Sequence, residues 1–172
     1  IGIGDSIISR YSFSDQLREV TTGIFPWLPN EQSQEFKNNP YDHKSNDHNL
    51  SPRTIWKKIA TAVRDIQDSI FAERLCSSLV QKIDLYQLEQ DIDIISDLRS
   101  WAEFNSCLEI RSMNKIDVKF IRIIDPNVTK ENCQEIDKPT FDFEVDYEFI
   151  NYKTDKCLVD FHNLVSKICS GE

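Results

Sequence analysis

From Arg53 to Asp125 the chain contains neither glycine nor proline, whereas Gly2, Gly4, Gly23, Pro26, Pro29, Pro40 and Pro52 crowd into its first third. The two residues that most strongly interrupt regular backbone are thus missing from the middle of the chain. Long elements are permitted there and discouraged at the start. At 172 residues the chain fits one ordinary domain, or one domain with helical extensions. Three stretches are expected: an irregular segment over 1–50, a long helical segment over 51–102 and an α+β module over 103–172.

In the first stretch, Ile7-Ile8 and Ile24-Phe25-Pro26-Trp27-Leu28 are short apolar pieces that suit a strand or two, and the polar run 30–49 reads as an exposed loop. Ser51-Pro52 then marks a helix start. A serine oxygen can accept from the orphan amides, and proline at the first helical position forfeits no needed donor. Ile55, Ile59, Val63, Ile66 and Ile70 follow at spacings of three and four, and Cys76, Leu79, Ile83 and Tyr86 continue them. Leu85, Leu88, Ile92 and Ile95 run on an adjacent stripe, so the pattern stutters near Leu85. A run of this length predicts a coiled coil or helical hairpin; the alternative is two ordinary helices broken near Ile70 or Asp84. On the first reading, Ile59, Val63, Ile66, Ile70, Leu79, Ile83, Leu88 and Ile92 form the stripe on which a partner docks.

Past Trp101 the period switches to two. Cys107–Arg111 and Ile116–Ile124 read as strands with a turn at Met113-Asn114-Lys115. Phe141, Phe143, Val145, Tyr147 and Phe149 then alternate with Asp142, Glu144, Asp146 and Glu148, the pattern of a half-buried antiparallel strand with one acidic face. Leu158, Phe161, Leu164, Val165 and Ile168 mark a closing helix, with Asp155 near its start and Gly171 at its C-terminal cap. The expected fold class is α+β: a long helix or helical hairpin leading into a small antiparallel sheet closed by a C-terminal helix.

The net charge of −9 opposes binding to nucleic acid or to anionic membranes, both of which ask for a basic face. Cys76, Cys107, Cys133, Cys157 and Cys169 are scattered, lack zinc spacing and read as buried reduced thiols. The pairs Asp42-His43 and Asp47-His48 offer metal-ligand types, but in a polar loop they read as solvated side chains. Asp160 and His162 stand two apart on a helix and so face different ways. Carboxylates on one face of a strand lie about 7 Å apart, too far to close a tight oxygen cage, and read as a solvated or electrostatic docking face. Trp101 reads as core; Trp56 suits either a core cap or an interface anchor. No catalytic, metal or cofactor site is expected, and the opening Ile1-Gly2-Ile3 reads as a domain cut from a longer protein.

Leu88–Trp101, Leu108–Ile110, Val118–Ile124, Phe141–Phe149 and Leu158–Ile168, in that order, resemble the RWD domains of kinetochore proteins, in particular the C-terminal RWD region of an outer-kinetochore scaffold. The likeness covers residues 85–170. It implies a nuclear, non-enzymatic protein–protein interaction module at the kinetochore that acts in chromosome segregation. It further implies docking to MIND-complex subunits and pairing with a Zwint-type coiled-coil partner. The Tyr-Pro turn frequent in RWD domains is absent after Phe149. Two other readings are carried beside it: a kinase-associated regulatory domain, and a metal-dependent enzyme built on the Asp-His pairs.

Overall fold

The computed structural model describes residues 8–30, 33–86, 92–113 and 116–171. Strand β1 (Ile8–Ser12) runs straight into helix α1 (Phe13–Ile24), followed by a short helix α2 (Gln34–Asn38), α3 (Pro52–Arg64) and α4 (Ile70–Tyr86). Strand β2 (Ile92–Ser96), helix α5 (Trp101–Ser112), strand β3 (Ile121–Ile124), a 3-10 turn (Glu135–Phe141), strand β4 (Tyr147–Ile150) and helix α6 (Asp155–Ser170) complete the order.

The mixed helix-and-strand class holds, but the sheet differs from expectation. β1 pairs with β2 and β3 with β4, each as a separate two-stranded ladder, and both ladders are parallel rather than antiparallel. The order of elements gives the reason. Helices α1 to α4 lie between β1 and β2, and the 3-10 turn lies between β3 and β4, so each pair is joined by a crossover long enough to bring the chain back in the same direction, which is what parallel pairing demands. Register is tight: Ile8 lies opposite Ile92 and Ser12 opposite Ser96, while Ile121 lies opposite Tyr147.

The single long helix is replaced by α3, α4 and β2, with the break near Ile70 that the alternative reading placed there. No glycine or proline is needed for it. Asp65, Asp68 and Ser69 are short polar residues whose side chains compete with helical backbone for hydrogen bonds. The Ser69 hydroxyl donates to the Glu73 carboxylate, while Glu73 N–H bonds Ser69 C=O at 2.9 Å, a fresh first turn for α4. The stutter residues Leu85 and Leu88 do not enter the correction, because Leu88 and the Leu85 side chain fall outside what is described. Downstream, the β-branched run Ile92-Asp93-Ile94-Ile95 favours extended backbone and pairs with β1.

The expected strand at Cys107–Arg111 lies inside α5. Ser100 Oγ accepts from Glu103 N at 3.2 Å, and Glu103 Oε2 accepts from Ser100 N at 3.0 Å, a reciprocal cap that starts the helix. Phe104, Cys107 and Ile110 then recur every three residues on its buried face. The expected strand Ile116–Ile124 is confined to its last four residues, β3. The alternating run 141–149 is likewise cut short. Phe141 ends the 3-10 turn, Phe143 is buried ahead of the strand, and pairing begins at Tyr147. Residues 1–50 also carry more regular structure than expected, since Phe13, Leu17, Val20 and Ile24 give α1 a helical stripe. The C-terminal helix is where the pattern places it, capped by Thr154 at the start and by Gly171 at φ 74° at the end.

The core gathers Ala72, Leu75, Cys76 and Leu79 of α4 against Phe13, Phe104, Cys107 and Ile110, with Phe120 and Phe143 closing one end. Phe104 stacks on Phe143 with centroids 4.5 Å apart, and Trp101 meets the same ring edge-on at 4.9 Å. Such ring pairs add about 0.5–1.5 kcal/mol beyond area burial. Trp101 is therefore a half-exposed lid on the core rather than part of its interior.

Asp146 joins α5 to the second ladder. Its carboxylate accepts from Phe120 N at 2.8 Å and from Arg111 at 2.7 and 3.1 Å. Burial opposes ionisation of this group, but the Phe120 amide and the Arg111 guanidinium together hold its pKa below the ordinary value. A depressed carboxyl contributes stability that is present above its unfolded pKa of about 3.9 and is lost as pH falls through the folded value. Urea titrations from pH 5 downward are expected to show a shallower acid dependence for Asp146→Asn than for the native protein. Equal slopes would remove Asp146 from the acid response.

Candidate functional site

In parallel α/β arrangements, ligands gather outside the carboxyl ends of the strands, because backbone amides and the loops into the following helices converge there. The C-terminal ends of β1 and β2 are Ser12 and Ser96, adjacent in the ladder. Ser12 is also the N-cap of α1, its hydroxyl accepting from Ser14 N at 3.2 Å. Asp97 follows β2 at φ 62°, a left-handed conformation that short polar side chains tolerate best. That turn brings its carboxylate back across the ladder. Asp97 Oδ2 accepts from Ser12 Oγ at 2.8 Å and from Ser14 Oγ at 3.1 Å.

One helical turn beyond Ser14, Arg18 Nη1 donates to Ser14 Oγ at 3.3 Å, and its Nη2 pairs with Asp15. The Arg18 side chain is only 13% exposed. Two buried polar atoms of this cluster have no hydrogen-bond partner: Arg18 Nε, a donor, and Asp97 Oδ1, an acceptor. Buried polar groups left unpaired are rare, since each forfeits its hydration. Here a donor and an acceptor stand unfilled on side chains that share Ser14 Oγ.

A second set of charges is tied to the same loop. Glu103, 6% exposed, accepts from Arg99 N at 2.8 Å as well as from Ser100 N, which fixes the path of 97–103. Arg64, from the last turn of α3, reaches Glu103 Oε1 at 3.4 Å, and the Arg99 side chain extends to Asp137 at 3.6 Å. The Arg18 guanidinium is thus anchored at the end of the first ladder and that of Arg64 on the loop leaving it, while the Arg99 guanidinium turns to Asp137.

The stripe expected to bind a partner does not form one face. Leu79 is in the core; Ile59, Val63 and Ile70 are half-buried; Ile92 belongs to β2. Ile66 is 88% exposed at the corner between α3 and α4. The side chain of Ile83 and the whole of Leu88 lie outside what is described. The acidic residues of 141–149 are largely paired within the chain, Asp142 with Lys130, Asp146 with Arg111 and Glu148 with Arg122.

His43 is a half-buried loop residue rather than a fully solvated one. Its ring stacks on Trp27 at 5.0 Å, and Nδ1 accepts from Ser45 N at 3.1 Å. Asp47, His48, Asp160 and His162 are exposed, and no group of three or more metal-ligating side chains occurs among the described residues. Cys76, Cys107 and Cys157 are buried as expected, whereas Cys133 is half-buried and Cys169 exposed. A hydrogen bond to Cys76, reinforced by burial, pushes the Cys107 thiol far above its usual range and keeps it protonated.

Ser12, Ser14, Arg18, Asp97 and Glu103 were not singled out by sequence patterning. One signal for them was present: Ser100-Trp101-Ala102-Glu103 has capping-box spacing directly after an apolar run that ends in Asp97. Together these elements define a mixed α+β arrangement with two parallel two-stranded ladders and a polar cluster at the carboxyl ends of the first. No protein-family model matches the chain, and comparison with curated proteins and with solved structures finds no match.

Proposed function

We propose that this chain is a small-molecule-binding α+β domain that takes a phosphorylated, hydroxyl-bearing ligand at the C-terminal ends of β1 and β2. The observation that carries this reading is the unfilled pair in the Ser12–Ser14–Arg18–Asp97 cluster: Arg18 Nε needs an acceptor and Asp97 Oδ1 needs a donor. A phosphoryl oxygen supplies the first and a ligand hydroxyl the second. Guanidinium groups suit phosphate because their fixed fork of donors matches its oxygens, and the Arg18 guanidinium is held in this cluster through Ser14. What is proposed is binding; no reaction is assigned.

The outer-kinetochore scaffold reading rested on a long helix running into an antiparallel sheet. Within the span of the resemblance, 85–170, strand β2 stands where the helix was expected and the ladders are parallel, so that reading remains a proposal carried by the sequence resemblance alone.

The test is a thermal-shift panel of inorganic phosphate, a sugar phosphate and a nucleoside monophosphate, each organic member run beside its unphosphorylated counterpart. A ligand at one hundred times its Kd stabilises the folded state by about 2.7 kcal/mol, which moves the midpoint of a domain this size by about 5–10 °C. Phosphorylated members are expected to shift the native protein and to lose that shift in Arg18→Met. A panel without effect, or one that acts equally on Arg18→Met, rejects the proposal.

A further inference from the structure

We propose that His43 is a proton-sensitive latch on the loop between α2 and α3: its neutral ring closes the turn at Ser45, and protonation opens that turn. The geometry fixes which form of the ring is present. Nδ1 accepts from Ser45 N at 3.1 Å. A backbone N–H can only donate, so Nδ1 must carry a lone pair there. An imidazolium has a proton on both nitrogens and no lone pair left to offer. Protonation therefore turns this bond into two donors facing each other. Histidine is the side chain that ordinarily changes charge between about pH 5 and 8, so a bond that needs its ring neutral is one that a modest change of pH can break.

The surroundings decide what moves. The His43 ring lies flat on Trp27, with centroids 5.0 Å apart and planes 4° from parallel, and beside Tyr41 at 6.4 Å. A cation is attracted to an indole face, so charge does not drive the ring off Trp27, and the exposed Ser45 side gives way. The ends of the loop are held without the ring. Tyr41 N donates to Leu50 O at 3.2 Å, and Asn46 Nδ2 donates to Tyr41 O at 2.7 Å and to Leu50 O at 2.9 Å. Those bonds contain no titrating group, which confines the opening to 43–45. The segment that bears Trp27 brings no charge between Ile24 and Asn30. Asp42, Lys44, Asp47 and His48 stand exposed on the loop itself. Helix α2, which meets the stack through Phe36 on Tyr41, carries Glu35 and Lys37, and Arg53 of α3 turns to Gln34. These charges are of both signs and screened by solvent, so they tune where the latch opens without removing the donor conflict that opens it.

The experiment is an NMR titration of the isotope-labelled full chain from about pH 8 to about pH 5. The Ser45 amide proton is expected to move upfield, the direction of a lost acceptor, with the same midpoint as the His43 ring protons. Close approach of the His43 and Trp27 rings is expected to persist throughout. His43→Phe keeps a ring for the stack but offers no acceptor, so its Ser45 amide should sit at the open position at every pH. His43→Asn keeps an acceptor oxygen in place of Nδ1 and does not titrate, so its Ser45 amide should stay at the closed position. His48→Gln, the neighbouring histidine, should leave the native response unchanged. A native Ser45 amide that holds its position across this range overturns the latch. So does a response that survives in His43→Phe, or one that disappears in His48→Gln. Should either His43 variant not fold, the native titration and the other variant still decide.

Discussion

Leu75→Ala is expected to lower unfolding free energy by about 3–4 kcal/mol, and the melting midpoint by about 10 °C, the largest loss from any single truncation considered. Leu75 is 1% exposed at the middle of α4, within the cluster formed by Ala72, Cys76 and Leu79 with Phe13, Phe104, Cys107 and Ile110. Its neighbours come from three helices, so none can relax far into the vacated volume, and a cavity term adds to the lost transfer energy. The informative comparison is Ile66→Ala. Both positions fall within the 51–102 segment expected to be one long helix, yet Ile66 is 88% exposed and its truncation should change stability by less than about 0.5 kcal/mol. Urea denaturation of both variants measures the contrast. Similar losses at the two sites would mean that α3 and α4 share one continuous buried face after all.

Asp97 is expected to give a graded series. Asp97→Asn keeps an acceptor for Ser12 and Ser14 and tolerates the left-handed backbone, so it should lose about 1 kcal/mol or less. Asp97→Ala removes both hydrogen bonds and adds the left-handed penalty of a residue with no local compensation, for a loss of about 2–3 kcal/mol. Asp97→Val adds β-branching at φ 62° and should fall lowest, with a loss of about 3–4 kcal/mol. Ligand binding should follow a different order: Asn already loses the carboxylate oxygen that waits for a hydroxyl. Chemical denaturation beside ligand titration separates the two. A series in which stability and affinity fall strictly together would make Asp97 a structural turn residue and no more.

Patterning alone read the C-terminal helix and the Ser51-Pro52 start correctly, because caps and periodicity there point the same way. It misread Cys107–Arg111, where Leu108 to Arg111 alternate but the preceding Ser100–Glu103 box commits the backbone to a helix. It misread 141–149 because Phe141 is held in the 3-10 turn and Asp146, expected on the acidic outer face, is engaged by the Phe120 amide and Arg111. Parallel pairing was hidden for a related reason, since it is set by crossovers rather than by any local turn. The site was nearly invisible. Ser12, Arg18 and Asp97 carry no shared spacing, and the ladder that unites them joins strands from opposite halves of the chain.

That ladder also bears on the order in which the molecule assembles. Arg10 meets Ser96 across 86 positions of sequence, while Arg122 meets Glu148 across 26. Closing the longer loop asks for more chain entropy before any contact repays it, so long-range parallel pairing is slow. The α4–α5 hairpin and the second ladder can form from neighbouring segments, leaving β1 to dock as a late arrival. The polar cluster at its end would then be completed at the close of folding, and a chain refolding from denaturant would form the Asp97 loop before Arg18 reached it.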